Sequence, residues 1–219
     1  MAENYNIPQK VVNAFSELTE MYGDCIEYLG EKWFSCIDAC LKKAKELDME
    51  AWIYDENGWP SGFVGGKLLE NIDFRAQFLD YKVLDNFDEN AFVVYKKIGN
   101  NYVLIDHNDD STKEYYTIYL MASSANTDIL NPEVVDAFIR ETHEKYYERF
   151  SQSFGNELVG FFTDEPQYYS QKTPYSKIVY NDFLQRGWDI KKDLIYLFVD
   201  DTDGYSFKMQ YYSTINRLY

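Results

Sequence analysis

The chain reads as an α/β protein built on a parallel sheet, and three observations say so. Two short apolar and aromatic runs, 49–54 and 158–163, have the length of buried strands. Each follows a stretch of helical periodicity, and helix–strand alternation favours parallel pairing. Each also ends in Asp-Glu and then a chain-breaking residue: Asp55-Glu56 before Asn57-Gly58, and Asp164-Glu165 before Pro166. Sites in parallel α/β sheets lie at the carboxyl ends of the strands, so four carboxyl groups are expected at one mouth.

The elements follow in order. Val12, Phe15, Leu18, Tyr22, Cys25 and Leu29 keep helical spacing, as do Trp33, Ile37, Cys40, Ala44 and Leu47. This predicts helices over 8–29 and 31–47, the second leading into the first strand. Asp48 stands where glycine usually ends a helix, and aspartate tolerates the left-handed conformation required there. The glycine-rich stretch 58–67 is not a P-loop, which needs Gly where Ser61 stands and Ser or Thr where Leu68 stands. Its glycines suit tight folding against a ligand or a neighbouring loop.

The runs 91–95, 102–105 and 115–120 are rich in β-formers, with a Gly99-Asn100-Asn101 turn between the first two. They predict a small antiparallel insertion within the α/β scheme. Asp106, Asp109 and Asp110 read as a solvated turn. Asn131-Pro132-Glu133 opens a helix with an N-cap, a first-turn proline and an acid against the dipole. Val135, Phe138, Ile139, Thr142, Tyr146 and Phe150 are its expected buried face. A helix at 176–186, an amphipathic piece at 193–199 and a final helix complete the chain. Asp201–Gly204 is no EF-hand, because Val199 and Gln210 hold the first and last ligand positions.

Composition narrows the function. Among 219 residues, 37 Asp+Glu against 21 Lys+Arg give a net charge of -16, which repels phosphate backbones and argues against nucleic-acid binding. No apolar stretch reaches membrane-span length. Met1–Lys10 lack the basic-then-apolar order of a secretory signal, so a cytoplasmic location is expected. Cys25, Cys36 and Cys40 have no Cys/His cluster to complete a zinc site and read as small buried residues of a reducing compartment. Aromatics reach 18%, enough to supply a core and also to stack on sugar rings.

Glu165 is the sharpest chemical candidate, at a strand end beside Asp164. Like charge and desolvation raise a carboxyl pKa, as a general acid requires. Asp55 and Glu56 have the same placement and could bind sugar hydroxyls, hold a metal or brace the glycine-rich loop. His143, inside a helix and followed by charged residues, reads as solvated or supporting; His107 sits in a polar turn with no assigned role. No Gly-x-Ser-x-Gly motif is present, which disfavours a hydrolase triad.

Three blocks carry a family resemblance: Trp52-Ile53-Tyr54-Asp55-Glu56-Asn57-Gly58-Trp59-Pro60-Ser61-Gly62 with Gly65-Gly66, Asp128–Glu133 with Thr142–Tyr147, and Gly160-Phe161-Phe162-Thr163-Asp164-Glu165-Pro166. In this order the chain, from about residue 31 to 219, resembles the glycoside hydrolase family 106 α-L-rhamnosidases and their bacterial relatives. The resemblance implies a partial (β/α)8 TIM-type barrel over 1–219, with the antiparallel insertion at 88–122. It also implies inverting, calcium-assisted hydrolysis of rhamnosides in oligo- or polysaccharides. Glu165 would then be the general acid, as in the Asn-Glu-Pro acid of other barrel glycosidases. Asp164, Asp55 and Glu56 would bind sugar hydroxyls or Ca2+, and Trp59 and Tyr54 would form a stacking wall. Two departures stand out: no barrel strand precedes the helix at 31–47, and 1–29 reads as helix. The second carboxylate of an inverting pair is expected beyond Tyr219. The chain alone is therefore expected to be inactive and to self-associate through an open sheet edge. A non-catalytic carbohydrate-binding fragment is the alternative.

Overall fold

A computed structural model describes residues 26–167, 172–202 and 204–219. The helix expected over 8–29 lies outside the described residues up to Cys25, and residues 26–29 form a turn. The chain divides into two compact units, Met1–Trp52 with Phe150–Gly160, and Ile53–Arg149 with Phe161–Tyr219.

In the first unit, helix α1 (Glu31–Glu46) carries Glu31 in its first turn and Lys43 and Lys45 in its last, each sign matched to the helix dipole. It buries Phe34 and Leu41, and the Phe34 ring lies 6.1 Å from that of Phe150. Cys36 and Cys40 are exposed, not buried as their sequence suggests. At 100° per residue they fall away from the face that carries Phe34 and Leu41. Asp48 ends the helix at φ 53°, and the chain enters strand β1 (Ala51–Tyr54). Here the Ala51 N–H donates to Glu157 O at 2.7 Å. A Cβ on Gly160 would come within 2.9 Å of the Trp52 ring, so a larger residue there would displace the indole.

The second unit is dominated by antiparallel structure. Strands β2 (Arg75–Leu84), β3 (Val93–Ile98), β4 (Asn101–Ile105), β5 (Tyr115–Thr127) and β7 (Thr173–Tyr175) form one sheet in the order β4-β3-β5-β2-β7. A hairpin closes Ile98 on Asn101 around Gly99 at φ 61°. The long pair runs from Leu84 opposite Tyr115 to Gln77 opposite Ala122, then slips before Arg75 meets Thr127. One face of the sheet packs Leu79, Val93, Tyr95 and Ile118 against helix α4 (Lys177–Gln185), helix α5 (Tyr205–Leu218) and the short turns between them. Two buried tyrosines fix this core by donating to backbone carbonyls, Tyr95 to Lys191 at 2.5 Å and Tyr211 to Pro174 at 2.6 Å.

This topology corrects the expected fold: the chain is not a (β/α)8 barrel, whole or partial. Two strands that sequence periodicity does not predict, β2 and β7, join the expected β3–β5 into a curled five-stranded antiparallel sheet. Parallel pairing is confined to β1 and β6 (Leu158–Phe162). The bonds from Ala51 to Glu157 and from Asp55 to Phe162 advance together along both segments.

The helix after Asn131 also differs from expectation. The Asn131 side chain accepts from Glu133 N–H at 3.1 Å, and Pro132 follows at the first helical position. The helix breaks at Thr142, whose hydroxyl donates back to the Phe138 carbonyl, giving α2 (Pro132–Glu141) and α3 (His143–Phe150). The buried face of α2 is Val134, Ala137 and Phe138, while Val135 and Ile139 are partly open to solvent. Among the described residues no helix is long and apolar enough to cross a membrane.

Candidate functional site

The loop after β1 is organised by its own carboxylate. Residues 64–66 all take positive φ, at 54° for Val64, 60° for Gly65 and 99° for Gly66. Consecutive left-handed residues turn their amides to one side and form a concave nest that attracts an anion. Glu56 fills it. Its Oε2 accepts from Phe63 N–H at 3.0 Å and Val64 N–H at 2.6 Å, and its Oε1 from Gly65 at 2.5 Å and Asn57 at 3.2 Å. Glu56 is 1% exposed, so the glycine-rich stretch holds an internal anion in place of an external one.

Asp55 is wholly buried and joins the two Asp-Glu segments. Its Oδ1 accepts from Ser61 Oγ at 2.7 Å, and its Oδ2 accepts from Thr163 Oγ1 at 2.6 Å and lies 3.0 Å from His143 Nε2. Burial pushes its carboxyl pKa up, but the bonds from His143, Thr163 and Ser61 outweigh this and hold it below the ordinary 3.8. An ionised carboxylate only accepts, so His143 carries its hydrogen on Nε2. Ser61 completes the clasp. Its N–H donates to Asp164 O and its Oγ accepts from Asp164 N–H, both at 2.9 Å. Gly62 next to it has φ 128°, a conformation that side chains disfavour.

The remaining sequence-predicted residues lie around this clasp. Tyr54 donates its hydroxyl to Gly58 O at 2.7 Å and lies 3.3 Å from Asp164 Oδ2. Burial, then the Asp164 charge, push the Tyr54 hydroxyl above its ordinary pKa. With its hydroxyl so engaged and its ring 5.8 Å from Phe162, Tyr54 braces the loop. Trp59 is 56% exposed and free to stack. Glu165 is exposed at φ 42°, next to Pro166, which has no N–H to offer.

Beside the clasp lies a cavity of about 460 Å³, lined by Ser61, His143 and Thr163 and by Val135, Phe138 and Ile139 of α2 among others. The three polar residues all bond to Asp55 and so share one corner. The three apolar ones, spaced i, i+3 and i+4, share one helix face.

Calcium, implied by the family resemblance, does not fit Asp55 and Glu56. Every oxygen of both carboxylates already faces protein donors, and the four amides around Glu56 favour negative charge where a cation would sit. Among the described residues no group of three or more His, Cys, Asp or Glu is placed to hold a metal.

Ser61 and Thr163 escape assignment from sequence alone, and His143, read there as solvated or supporting, is placed against Asp55. His143 and Asp55 are separated by 88 residues, and Thr163 meets Asp55 just past the ends of the paired strands β1 and β6. No protein family, curated protein or solved structure matches this chain.

Proposed function

We propose that the chain is a carbohydrate-active module of glycoside-hydrolase type, acting on α-L-rhamnosides or related glycosides, with Glu165 as proton donor and Trp59 as a stacking platform. One observation supports this reading best. The two Asp-Glu segments end neighbouring parallel strands, and of their four carboxylates Glu165 is the exposed one, in sequence between two residues that line the cavity. An exposed carboxyl can exchange protons with a substrate, whereas Asp55 and Glu56 cannot do so without unmaking their loops.

The same observation favours a second reading, binding without cleavage. Inverting hydrolysis needs two carboxylates on opposite sides of the sugar, about 6.5–9.5 Å apart. Asp55 and Glu56 are locked, and the Asp164 carboxylate accepts from the Tyr54 hydroxyl at 3.3 Å.

Calorimetric titration with methyl α-L-rhamnoside and a hydrolysis assay on an aryl α-L-rhamnoside separate the two. Binding is expected, weakened roughly three- to tenfold by Trp59→Ala, the loss of one aromatic contact. Any turnover should vanish in Glu165→Gln while binding persists. Absence of binding at millimolar ligand rejects both readings. Turnover unaffected by Glu165→Gln rejects Glu165 as the acid.

A further inference from the structure

The cavity beside the Asp55 clasp has a chemistry of its own, set by where the hydrogens lie. Three polar side chains reach its corner, and each has a hydrogen committed to Asp55. Ser61 Oγ and Thr163 Oγ1 donate to the carboxylate at 2.7 and 2.6 Å, and His143 Nε2 sits 3.0 Å from it. Ser61 Oγ also accepts from Asp164 N–H. These three side chains therefore keep acceptors only: the lone pairs of Thr163 Oγ1 and, in the neutral ring, His143 Nδ1. Among the described residues, no hydrogen bond is made to Nδ1. The ring is fixed in place by Phe161 at 4.3 Å and Phe138 at 5.4 Å between centroids.

The geometry points to His143 as the ligand-recognising residue of this cavity, its Nδ1 accepting a hydrogen bond from a hydroxyl of a neutral ring compound whose apolar face rests on Val135, Phe138 and Ile139. Three features select that class. Side chains left with acceptors alone favour a donor on the ligand. A buried, ionised Asp55 behind it repels carboxylates and phosphates. The apolar wall rewards a ligand with one hydrocarbon face. A cavity of about 460 Å³ holds a ring of six heavy atoms with its substituents. This rests on the carbohydrate reading above only for the choice of sugars among such compounds.

The test uses the whole chain with nitrogen-15-labelled histidine. Long-range proton–nitrogen correlation distinguishes N–H from bare ring nitrogens. The ligand-free protein should show His143 with Nε2 protonated and Nδ1 bare, and the reverse tautomer overturns the inference. The probes are methyl α-L-rhamnoside, cyclohexane-1,2-diol and, as an anionic control, cyclohexanecarboxylate. Both neutral probes should shift the Nδ1 resonance, and the carboxylate should not. A shift with the diol but no sugar keeps the inference and removes the carbohydrate reading. Sugar binding seen at other residues with Nδ1 unmoved keeps that reading and removes the inference. Silence from both neutral probes, or stronger binding of the anion, overturns it.

Two variants separate recognition from support. His143→Gln places an amide N–H where Nε2 was, keeping the bond to Asp55, but has nothing at Nδ1. It should melt close to the parent and bind the neutral probes about tenfold more weakly, the value of one hydrogen bond. His143→Asn keeps an acceptor near Nδ1 and gives up Asp55. It should lose stability and retain more of the affinity. A His143→Gln protein that binds as tightly as the parent would assign His143 a purely structural role.

Discussion

Glu56→Gln should be among the most damaging single-atom exchanges available to this protein. The two oxygens of Glu56 each accept two backbone N–H groups, at 2.5–3.2 Å, and the side chain is 1% exposed. Glutamine keeps one oxygen and presents an NH2 in place of the other. Two amides then face a donor. Hydrogen bonds to charged groups contribute about 1.5–3 kcal/mol each, so losing two costs roughly 3–6 kcal/mol before the loop relaxes. Val64 offsets part of this, because its φ of 54° is held by the bond to Glu56. A non-glycine residue in that region stores about 1–2 kcal/mol, which is released when the grip fails.

For a chain of this length each kcal/mol shifts a melting midpoint by about 2–4 °C, so relaxation down to a net 3 kcal/mol still predicts a fall of roughly 6–12 °C. Thermal unfolding followed by near-ultraviolet circular dichroism would read it. Hydrogen exchange supplies the local check, since the amides of Phe63, Val64 and Gly65 should lose protection before those of β2 and β5. A midpoint within a degree of the parent, with those three amides still protected, would refute the nest.

Three further outcomes concern charge and packing. Burial raises the pKa of Asp128 above 3.8 despite its bonds from Ser176 Oγ at 2.7 Å and Leu130 N–H at 3.3 Å. The folded state therefore holds that proton more tightly, and stability falls as pH rises from the unfolded value through the raised one. Asp128→Asn should flatten this slope in urea titrations taken between acid and neutral pH, and an unchanged slope would remove Asp128 as its source. Glu141 is held at about 2, chiefly by Lys145 at 2.6 Å and then by Lys67, so its contribution is complete above 4.5 and lost as pH falls toward 2. The cluster is solvent-exposed and should contribute no more than about 1 kcal/mol, so Glu141→Gln should cost a few degrees at most and nothing in molar salt. Gly160→Ala should displace the Trp52 ring, seen as a change in indole fluorescence, and unaltered emission would contradict the 2.9 Å approach.

Some of this architecture is legible in the sequence because it depends on neighbours. The N-cap at Asn131, the turn at Gly99 and the left-handed Asp48 each derive from one residue and its immediate context. Helix–strand alternation misleads when it is read as proof of a parallel sheet. Between Glu56 and Asn131 the chain holds β2 to β5 and no α-helix, and β2 escapes periodicity because its buried positions, Ala76 and Leu79, do not alternate. Strand β7 is three residues long with Pro174 at its centre, below any periodicity signal. The roles of the carboxylates are hidden for a different reason. What Glu56 does depends on the backbone angles of residues eight and nine positions on, and what Asp55 does depends on residues about ninety and a hundred positions away.

The same dipeptide thus serves opposite ends on two adjacent strands, and the residues after each copy explain why. After Asp55-Glu56 come Asn57, Gly58 and a loop with amides to spare, which curls back and encloses the carboxylate that precedes it. After Asp164-Glu165 comes Pro166, which removes the nearest amide and disfavours the helical turn that could cap the acid. Glu165 is exposed, where Glu56 is enclosed by 57–65. Ser61 then binds the two segments by contacting Asp55 through its side chain and Asp164 through its backbone N–H and hydroxyl. The first segment, made rigid by its own acid, becomes the scaffold that positions the second. The first Asp-Glu pair, enclosed by its own loop, thus fixes the strand end on which the second presents an exposed carboxylate.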